Sequence, residues 1–499
     1  MFNTQNYPKI KAMAIAAFGA LLVGVFPLAI SFMQADISSS FAVDANEITW
    51  FVSLYNLGQI LGIPFAFFIA GVVGRRRAML LAGGGFSFVS FLIALSSSFQ
   101  FVLVLRLIQG FFGTMFPIFV FILIFSLLSA GAERTKGLAV FAAASSVGAG
   151  LAAFVGYSLF IAENWRFTFY CLGFLSCIYC YFANKTFLAD PINLSNLKKI
   201  DWFGYLIISI ALVSFIIAMS EGEKNFWSET WWITALLITS CIFIFLSFFY
   251  FKTNKAGLIR LSIFSKPFTP AILLQYLFRL ATLISVWIIP QYMVKILGYK
   301  IDQLSYAILP LSFGTIIGIV FAFWSSPRID QRYILFISFL MFGAVAWYCS
   351  YLTEDWNYLQ FFWPIFFAGL AQGMFGMSTL HYALGNLDKF EGPTCGIIFN
   401  YVRVLGETSG IAIFSHLINE RIKFHTIVLN QHLTAINSEK LGSLNRHFQS
   451  NTDTSALSTQ VSEQAYLLSY IDALTFIALV LFIGSLFTWV FRAYKSTTE

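Results

Sequence analysis

The sequence predicts an all-α polytopic membrane protein with fourteen transmembrane helices, and three observations carry the prediction. The first is composition. Of 499 residues, 59% are hydrophobic and only 11% charged, with a mean hydropathy of +0.78, whereas a soluble domain carries roughly 25% charged residues. The second is spacing. The charges gather in short clusters between apolar runs long enough to cross a bilayer, which takes about 20 helical residues. The third is the sign of those clusters. With a cytoplasmic N-terminus, the inner segments hold 19 of the 30 Lys and Arg residues, the outer segments hold 8, and 3 fall inside spans. A missed span would scramble this alternation, so the positive-inside rule supports an even number of crossings with both termini cytoplasmic.

Residues 1–11 are polar, and the apolar run that follows reaches about Met33. It is too long for a signal-peptide core and no A-x-A cleavage pattern follows, so it reads as a retained first span. The fourteen spans fall near 12–35, 49–70, 78–97, 101–126, 138–161, 167–187, 203–220, 231–251, 269–293, 304–324, 333–351, 359–381, 395–418 and 470–492. Each must be helical, because a chain crossing lipid has to satisfy its own backbone hydrogen bonds. Inner turns are marked by Arg75, Arg76 and Arg77, by Arg134 and Lys136, by Lys198 and Lys199, and by Arg260, Arg328 and Arg332. Polar linkers at 188–202 and 252–268 flank the seventh and eighth spans. They predict a six-helix bundle over 1–190, linkers and an extra helix pair over 191–267, and a second six-helix bundle over 268–499 with an outer loop at 419–469. The start of that loop, from Leu417 through Ile422, Leu429, Leu433 and Ile436, has helical apolar spacing.

A net charge of +7 sits on no amphipathic soluble segment. It fits attraction to an anionic inner leaflet and gives no reason to expect nucleic acid. All six cysteines lie in spans. Cys177 and Cys180 have C-x-x-C spacing but no second pair, so neither zinc nor redox work is expected of them. His425, His432 and His447 share the outer loop in a spacing that fits no common metal pattern. There is no Gly-rich phosphate loop and no nucleophile elbow, so neither enzyme chemistry nor a cofactor is expected. Gly83-Gly84-Gly85 reads as close packing. Gly58/Gly62, Gly369/Gly373 and Gly406/Gly410 have the small-x-x-x-small spacing of helix–helix contacts.

Several stretches carry a family resemblance over almost the whole chain. Leu105-Arg106-Leu107-Ile108-Gln109-Gly110 followed by Gly113, Gly74-Arg75-Arg76-Arg77, Asn164-Trp165-Arg166 with Phe169, and Pro290-Gln291-Tyr292 with Leu297-Gly298-Tyr299 and Leu309-Pro310 are four of them. Asn400-Tyr401-Val402-Arg403 with Gly406 and Gly410, and the loop ending in Gln464-Ala465 before Asp472, complete the set. Together they resemble the major facilitator superfamily, in its fourteen-helix drug:proton antiporter branch of the EmrB/QacA type. The chain departs from that pattern at three places. Phe26 stands where the family has an Asp in the first span, and Gly71 stands four residues before Arg75 where motif A has an Asp. Gly148-Ala149-Gly150-Leu151-Ala152-Ala153 lacks the proline of motif C. The chain thus resembles a divergent member of the branch. The resemblance implies a 6+2+6 major facilitator fold and a proton-relay role for Arg106, with Gln109 one turn away. In a two-membrane host it also implies an inner-membrane location, a periplasmic adaptor and an outer-membrane channel.

An ionisable group at the bilayer centre costs about 2.5–3.5 kcal/mol even on lenient scales, so embedded charges are functional candidates. Four are expected inside spans: Arg106, Arg279, Arg403 and Glu407. Three roles are open to Glu407. It can take up and release a proton as access alternates, it can pair with Arg403 one turn away, or it can hold a cationic substrate. Asp36 and Asp472, at outer span ends, are further proton-site candidates. Arg279 either attracts an anionic substrate group or snorkels. Neutral polar groups expected in the cavity are Tyr55, Asn56, Gln59, Gln109, Gln275, Gln291, Gln372, His381 and Asn400. Trp50, Trp287, Trp324, Phe375 and Tyr382 supply aromatic surface. Such a mixture suits a bulky amphipathic ligand between two repeats. Arg75, Arg76 and Arg77 are expected to brace the cytoplasmic side. The leading functional expectation is proton-coupled export of lipophilic or amphipathic small molecules. A dedicated exporter of a secreted metabolite such as a siderophore is a second reading, and a non-transporting receptor or scaffold is a third.

Overall fold

The structure is a computed structural model. It describes residues 9–490 apart from 45, 130, 163, 189, 255–256, 266–267, 385–390 and 445–450, and it leaves out the side chains at 158–162, 265, 301–302, 432–444, 451–458 and 490. Fourteen helices in it are long and apolar enough to cross a bilayer. Numbered 1 to 14 in chain order, they are Lys9–Ser31, Thr49–Val73, Arg75–Leu95, Phe99–Leu127, Ala132–Tyr157, Trp165–Thr186, Trp202–Glu221, Trp231–Thr253, Phe268–Lys295, Gln303–Ser325, Gln331–Cys349, Tyr358–Leu384, Gly392–Gln431 and Thr459–Phe487. Among the described residues there is no strand. The expected fourteen-helix fold is what forms.

One expectation needs correcting. The described residues of the polar segment 419–469 are helical and not a loop, as the apolar spacing of its start suggested. The helix of span 13 continues unbroken from Gly392 to Leu444, and the helix of span 14 begins at Asn451. Polar composition reports contact with water and says nothing of backbone conformation, and residues 419–444 contain no proline and a single glycine. At 1.5 Å per residue a helix of 53 residues is about 80 Å long, against about 30 Å of hydrocarbon. A helical hairpin therefore stands well clear of the bilayer. His432 and His447 lie outside the described side chains.

Two sets of crossings repeat one packing device. Spans 2 and 4 meet backbone to backbone: a Cβ on Gly58 would lie 2.0 Å from the Leu107 carbonyl oxygen, and one on Gly110 would lie 2.0 Å from the Tyr55 carbonyl oxygen. Spans 10 and 12 meet in the same way. Cβ atoms on Gly314 and Gly369 would stand 2.1 Å from the Phe366 oxygen and 2.2 Å from the Leu311 oxygen. Gly62, Gly318 and Gly373 extend both contacts by one turn. The second and fourth helices of each half are thus locked by equivalent glycines, as expected of an internally repeated transporter fold. The glycines permit this because only a residue without a Cβ lets two helix backbones approach so closely.

The halves meet along two seams. Span 13 packs against spans 2 and 4, and span 5 packs against spans 10 and 12. Span 7 lies against spans 2 and 13, while span 8 packs on span 7 and shows Phe245, Phe248 and Phe249 to the outside. At the end that carries Arg75–Arg77, Phe125 and Phe67 press onto Gly392 and Gly396 of span 13, and Thr135 Oγ1 is hydrogen-bonded to His381 Nδ1 at 3.1 Å. Midway, Ser312 Oγ donates to the Val147 carbonyl at 2.8 Å. Towards the other end, the rings of Tyr157 and Tyr306 stand 6.3 Å apart.

Candidate functional site

Span 4 carries Arg106, which is 1% exposed. Its Nε donates to the Phe51 carbonyl at 3.1 Å and its Nη1 to Gln109 Oε1 at 2.6 Å, and Gln109 Nε2 in turn donates to Ser90 Oγ at 2.8 Å. The guanidinium carbon lies 4.4 Å from the ring centres of both Phe51 and Tyr55, within the range of cation–π attraction. This buried cation is thus held by a carbonyl, an amide and two ring faces, all from spans 2 and 4. Gln109, expected in the cavity, is instead fully buried inside this network.

A second cluster joins the halves. Arg403 Nη2 of span 13 donates to Gln59 Oε1 of span 2 at 3.2 Å, and Asn56 Nδ2 approaches Thr408 Oγ1 at 3.4 Å one turn further along. Arg279 of span 9 joins from the side. Its Cβ would be only 2.8 Å from a Cβ on Gly406, so that glycine lets Arg279 lie directly against span 13. Arg279, Arg403 and Glu407 are within electrostatic range of one another. The helical spacing that permits an Arg403–Glu407 pair does not produce one: among the described residues no ion pair within 4.0 Å involves Glu407, Arg279 or Arg403. The Nε atoms of Arg279 and Arg403 are buried without a hydrogen-bond partner.

Both arginines line a small cavity with Val23, Gly24, Pro117, Phe141, Ser145 and Phe399. Its volume of about 10 Å³ is about one water's worth. Helices from both halves form its walls.

The other expected residues distribute unevenly. Gln275, Gln372 and Asn400 are buried, and each has a side-chain oxygen without a hydrogen-bond partner. Gln291 instead accepts from Tyr470 Oη at 3.3 Å. Phe375 stacks on Phe278 at 3.8 Å and, like Tyr382, belongs to the packed core. Trp50 and Trp287 are half-buried. Trp324 is 60% exposed and faces outward, which corrects its placement in the cavity. Asp36 lies outside the spans, on a short helix over Gln34–Phe41, where burial holds its carboxyl above the ordinary range. Asp472 accepts from Arg421 at 2.6 Å and is hydrogen-bonded to His425 at 2.7 Å, so it ties span 14 to the extended helix of span 13. A parallel tie runs from the turn after span 7. Burial alone would raise the Glu223 carboxyl, but contacts from Asn419, Trp227 and His416 bring it below its ordinary value.

Sequence reasoning missed Asp190. It accepts hydrogen bonds from Arg75 N at 3.0 Å, Nε at 3.2 Å and Nη2 at 3.3 Å, with Arg75 2% and Asp190 7% exposed. Arg77 reaches the Asp190 carbonyl at 3.1 Å, and Arg76 Nε reaches Asn184 at 3.0 Å. Gly74 has φ +86°, and a Cβ there would lie 2.6 Å from that of Asp190, so the turn admits the linker only as glycine. The carboxylate absent at Gly71 is thus supplied by the linker after span 6, which also docks through Asn196 onto the Gly71 carbonyl at 2.8 Å. Asp190→Ala removes one partner of a buried pair, a change that typically costs about 3–5 kcal/mol. The expected result is a lower melting temperature of the purified protein, with Asp190→Asn recovering part of the loss.

Fourteen spanning helices, a repeated glycine lock and a charged centre between two halves define the architecture of a membrane transporter. The chain belongs to the major facilitator superfamily: the family model of that description matches residues 12–407. It is 25% identical to the colistin resistance protein EmrB of Acinetobacter baumannii over 97% of both chains. It is 22% identical to the fatty acid resistance protein FarB of Neisseria gonorrhoeae over 86% of both. It is 21% identical to the multidrug export protein EmrB of Escherichia coli K12, over 85% of this chain and 83% of that one. Among solved structures, the human organic anion transporter MFSD10 superposes with a TM-score of 0.59 at 12% identity, over 97% of this chain and 100% of that one. The proton:xylose symporter XylE superposes with a TM-score of 0.58 at 13% identity, over 97% and 96%. At such identities these two speak for the fold alone.

Proposed function

We propose that this protein is a secondary active exporter of lipophilic or amphipathic small molecules. It works by alternating access and draws on the proton-motive force, with Glu407 as its proton site. The observation that carries the reading is the small cavity lined by Arg279 and Arg403 between the halves, with Glu407 in electrostatic range of both arginines. Helix pairs that close on both sides of such a centre are the parts that must open in turn for a ligand to cross. Glu407 is the carboxylate that the fold sets beside these two cations, which makes it the candidate proton site of the cycle. The names of the relatives, which speak of colistin resistance, fatty acid resistance and multidrug export, support export over uptake. In a host with two membranes the chain sits in the inner one, and the hairpin beyond span 13 offers a surface to a periplasmic adaptor that leads to an outer-membrane channel.

The test is accumulation of N-phenyl-1-naphthylamine in efflux-deficient cells, with and without a protonophore. Cells that make the protein are expected to hold less dye, and the difference is expected to vanish with the protonophore. Equal accumulation with the protein present in the membrane would sink the reading.

A further inference from the structure

We propose that Arg279 and Arg403 form a clamp for the anionic group of the substrate, so that the preferred ligands are amphipathic anions carrying one carboxylate or sulfonate on an apolar body. The inference deepens the export reading and rests on it for the location of the site. Two guanidiniums on different helices face one cavity. Each has a buried Nε without a hydrogen-bond partner, and among the described residues neither has a carboxylate within 4.0 Å. Arg403 spends one Nη on the neutral Gln59. Buried polar groups are normally satisfied, and a guanidinium presents a fork of donors shaped for a carboxylate or similar oxyanion. The vacant donors thus match the chemistry of such a group.

Charge balance points the same way. Among the described residues Glu407 is the one carboxylate in electrostatic range of both arginines, which leaves this cluster with one positive charge in excess. A singly charged anion makes the loaded cluster neutral. Without it the cluster is positive, and an inside-negative membrane favours the inward return of that charge. The rest of the lining is apolar save for Ser145: Val23, Pro117, Phe141 and Phe399 suit a hydrophobic body. Gly406 lets Arg279 lie against span 13, since a Cβ there would strike the Arg279 side chain.

The experiment measures binding to the full chain in lipid nanodiscs, with empty nanodiscs subtracted. Two probes that share a skeleton are compared: 8-anilinonaphthalene-1-sulfonate, which is anionic, and N-phenyl-1-naphthylamine, which is neutral. Wild type is expected to favour the sulfonate. In Arg279→Gln the ratio of sulfonate to neutral affinity is expected to fall about tenfold or more, the scale for loss of one partner of a buried charge pair. Arg279→Lys is expected to recover much of that ratio by restoring the charge. Arg403→Gln is expected to follow Arg279→Gln. A wild-type preference for the neutral probe, or a ratio unchanged in both glutamine variants, would overturn the clamp while leaving amphipath export standing. Absence of binding by either probe would overturn the clamp and the ligand cavity together.

Discussion

Glu407→Gln is expected to leave the protein folded and in the membrane and to abolish its protonophore-sensitive efflux. The substitution keeps shape and hydrogen-bonding capacity and removes only ionisation. Its structural effect is small because Glu407 is half-buried and takes part in no ion pair within 4.0 Å among the described residues. Deleting a carboxylate from a tight buried pair would cost several kcal/mol, but Glu407 is not in one. Its functional effect is large, since among the described residues no other carboxylate lies in electrostatic range of both Arg279 and Arg403. If proton exchange there drives the cycle, a side chain that cannot ionise stops it. Dye accumulation should rise to the level of cells without the protein, while immunoblots of membranes stay within about twofold, the range expected when stability shifts by a few tenths of a kcal/mol. Protonophore-sensitive efflux that survives in the glutamine variant would move the proton site elsewhere. Asp36 and Asp472 would then be the next residues to change.

The sequence was most informative where the bilayer leaves the chain no choice. Each crossing must be a helix of a minimum apolar length, so the number of spans could be counted from hydropathy and charge alone. The glycine spacings at Gly58/Gly62 and Gly369/Gly373 were legible for a related reason, because close backbone approach admits few other residues. Three things were not legible. The carboxylate for Arg75 comes from Asp190, 115 residues away, and no local pattern marks it; Gly71 looked like a loss where the fold had moved the charge to another segment. The apolar spacing from Leu417 to Ile436 marked the start of 419–469 as helical, but polar composition hid that the helix of span 13 runs on unbroken to Leu444. Trp324 was misplaced because a span is apolar on both its lipid and its protein faces, so periodicity does not tell outward from inward. The embedded charges stood out in sequence as candidates. Their grouping did not, since the contact of Arg403 with Gln59 across 344 positions depends on how the halves pack.

Gly110→Ala is expected to destabilise the fold strongly. A helix interior normally gains from alanine in place of glycine, by about 0.4–1 kcal/mol. Gly84→Ala should follow that rule, because nothing lies within 4 Å of the position its Cβ would take. At Gly110 the same methyl would sit 2.0 Å from the carbonyl oxygen of Tyr55 and 3.1 Å from its Cα. Those are backbone atoms of a neighbouring helix, so no rotamer relieves the overlap and spans 2 and 4 must move apart. Overpacking of a core commonly costs about 1–3 kcal/mol, and a collision with backbone belongs at or above the top of that range. The damage spreads to the charged centre: Tyr55 flanks Arg106, the Phe51 carbonyl holds its Nε, and Gln59 on the same helix holds Arg403. Melting curves of purified variants, read as loss of the monodisperse peak on size exclusion, should place Gly84→Ala at or above wild type and Gly110→Ala well below it. Gly369→Ala, its counterpart in the second half, should fall with Gly110→Ala, since its Cβ would meet the Leu311 carbonyl oxygen at 2.2 Å. A Gly110→Ala protein as stable as wild type would mean that spans 2 and 4 do not meet backbone to backbone. The register that carries Gln59 to Arg403 would then have to be redrawn.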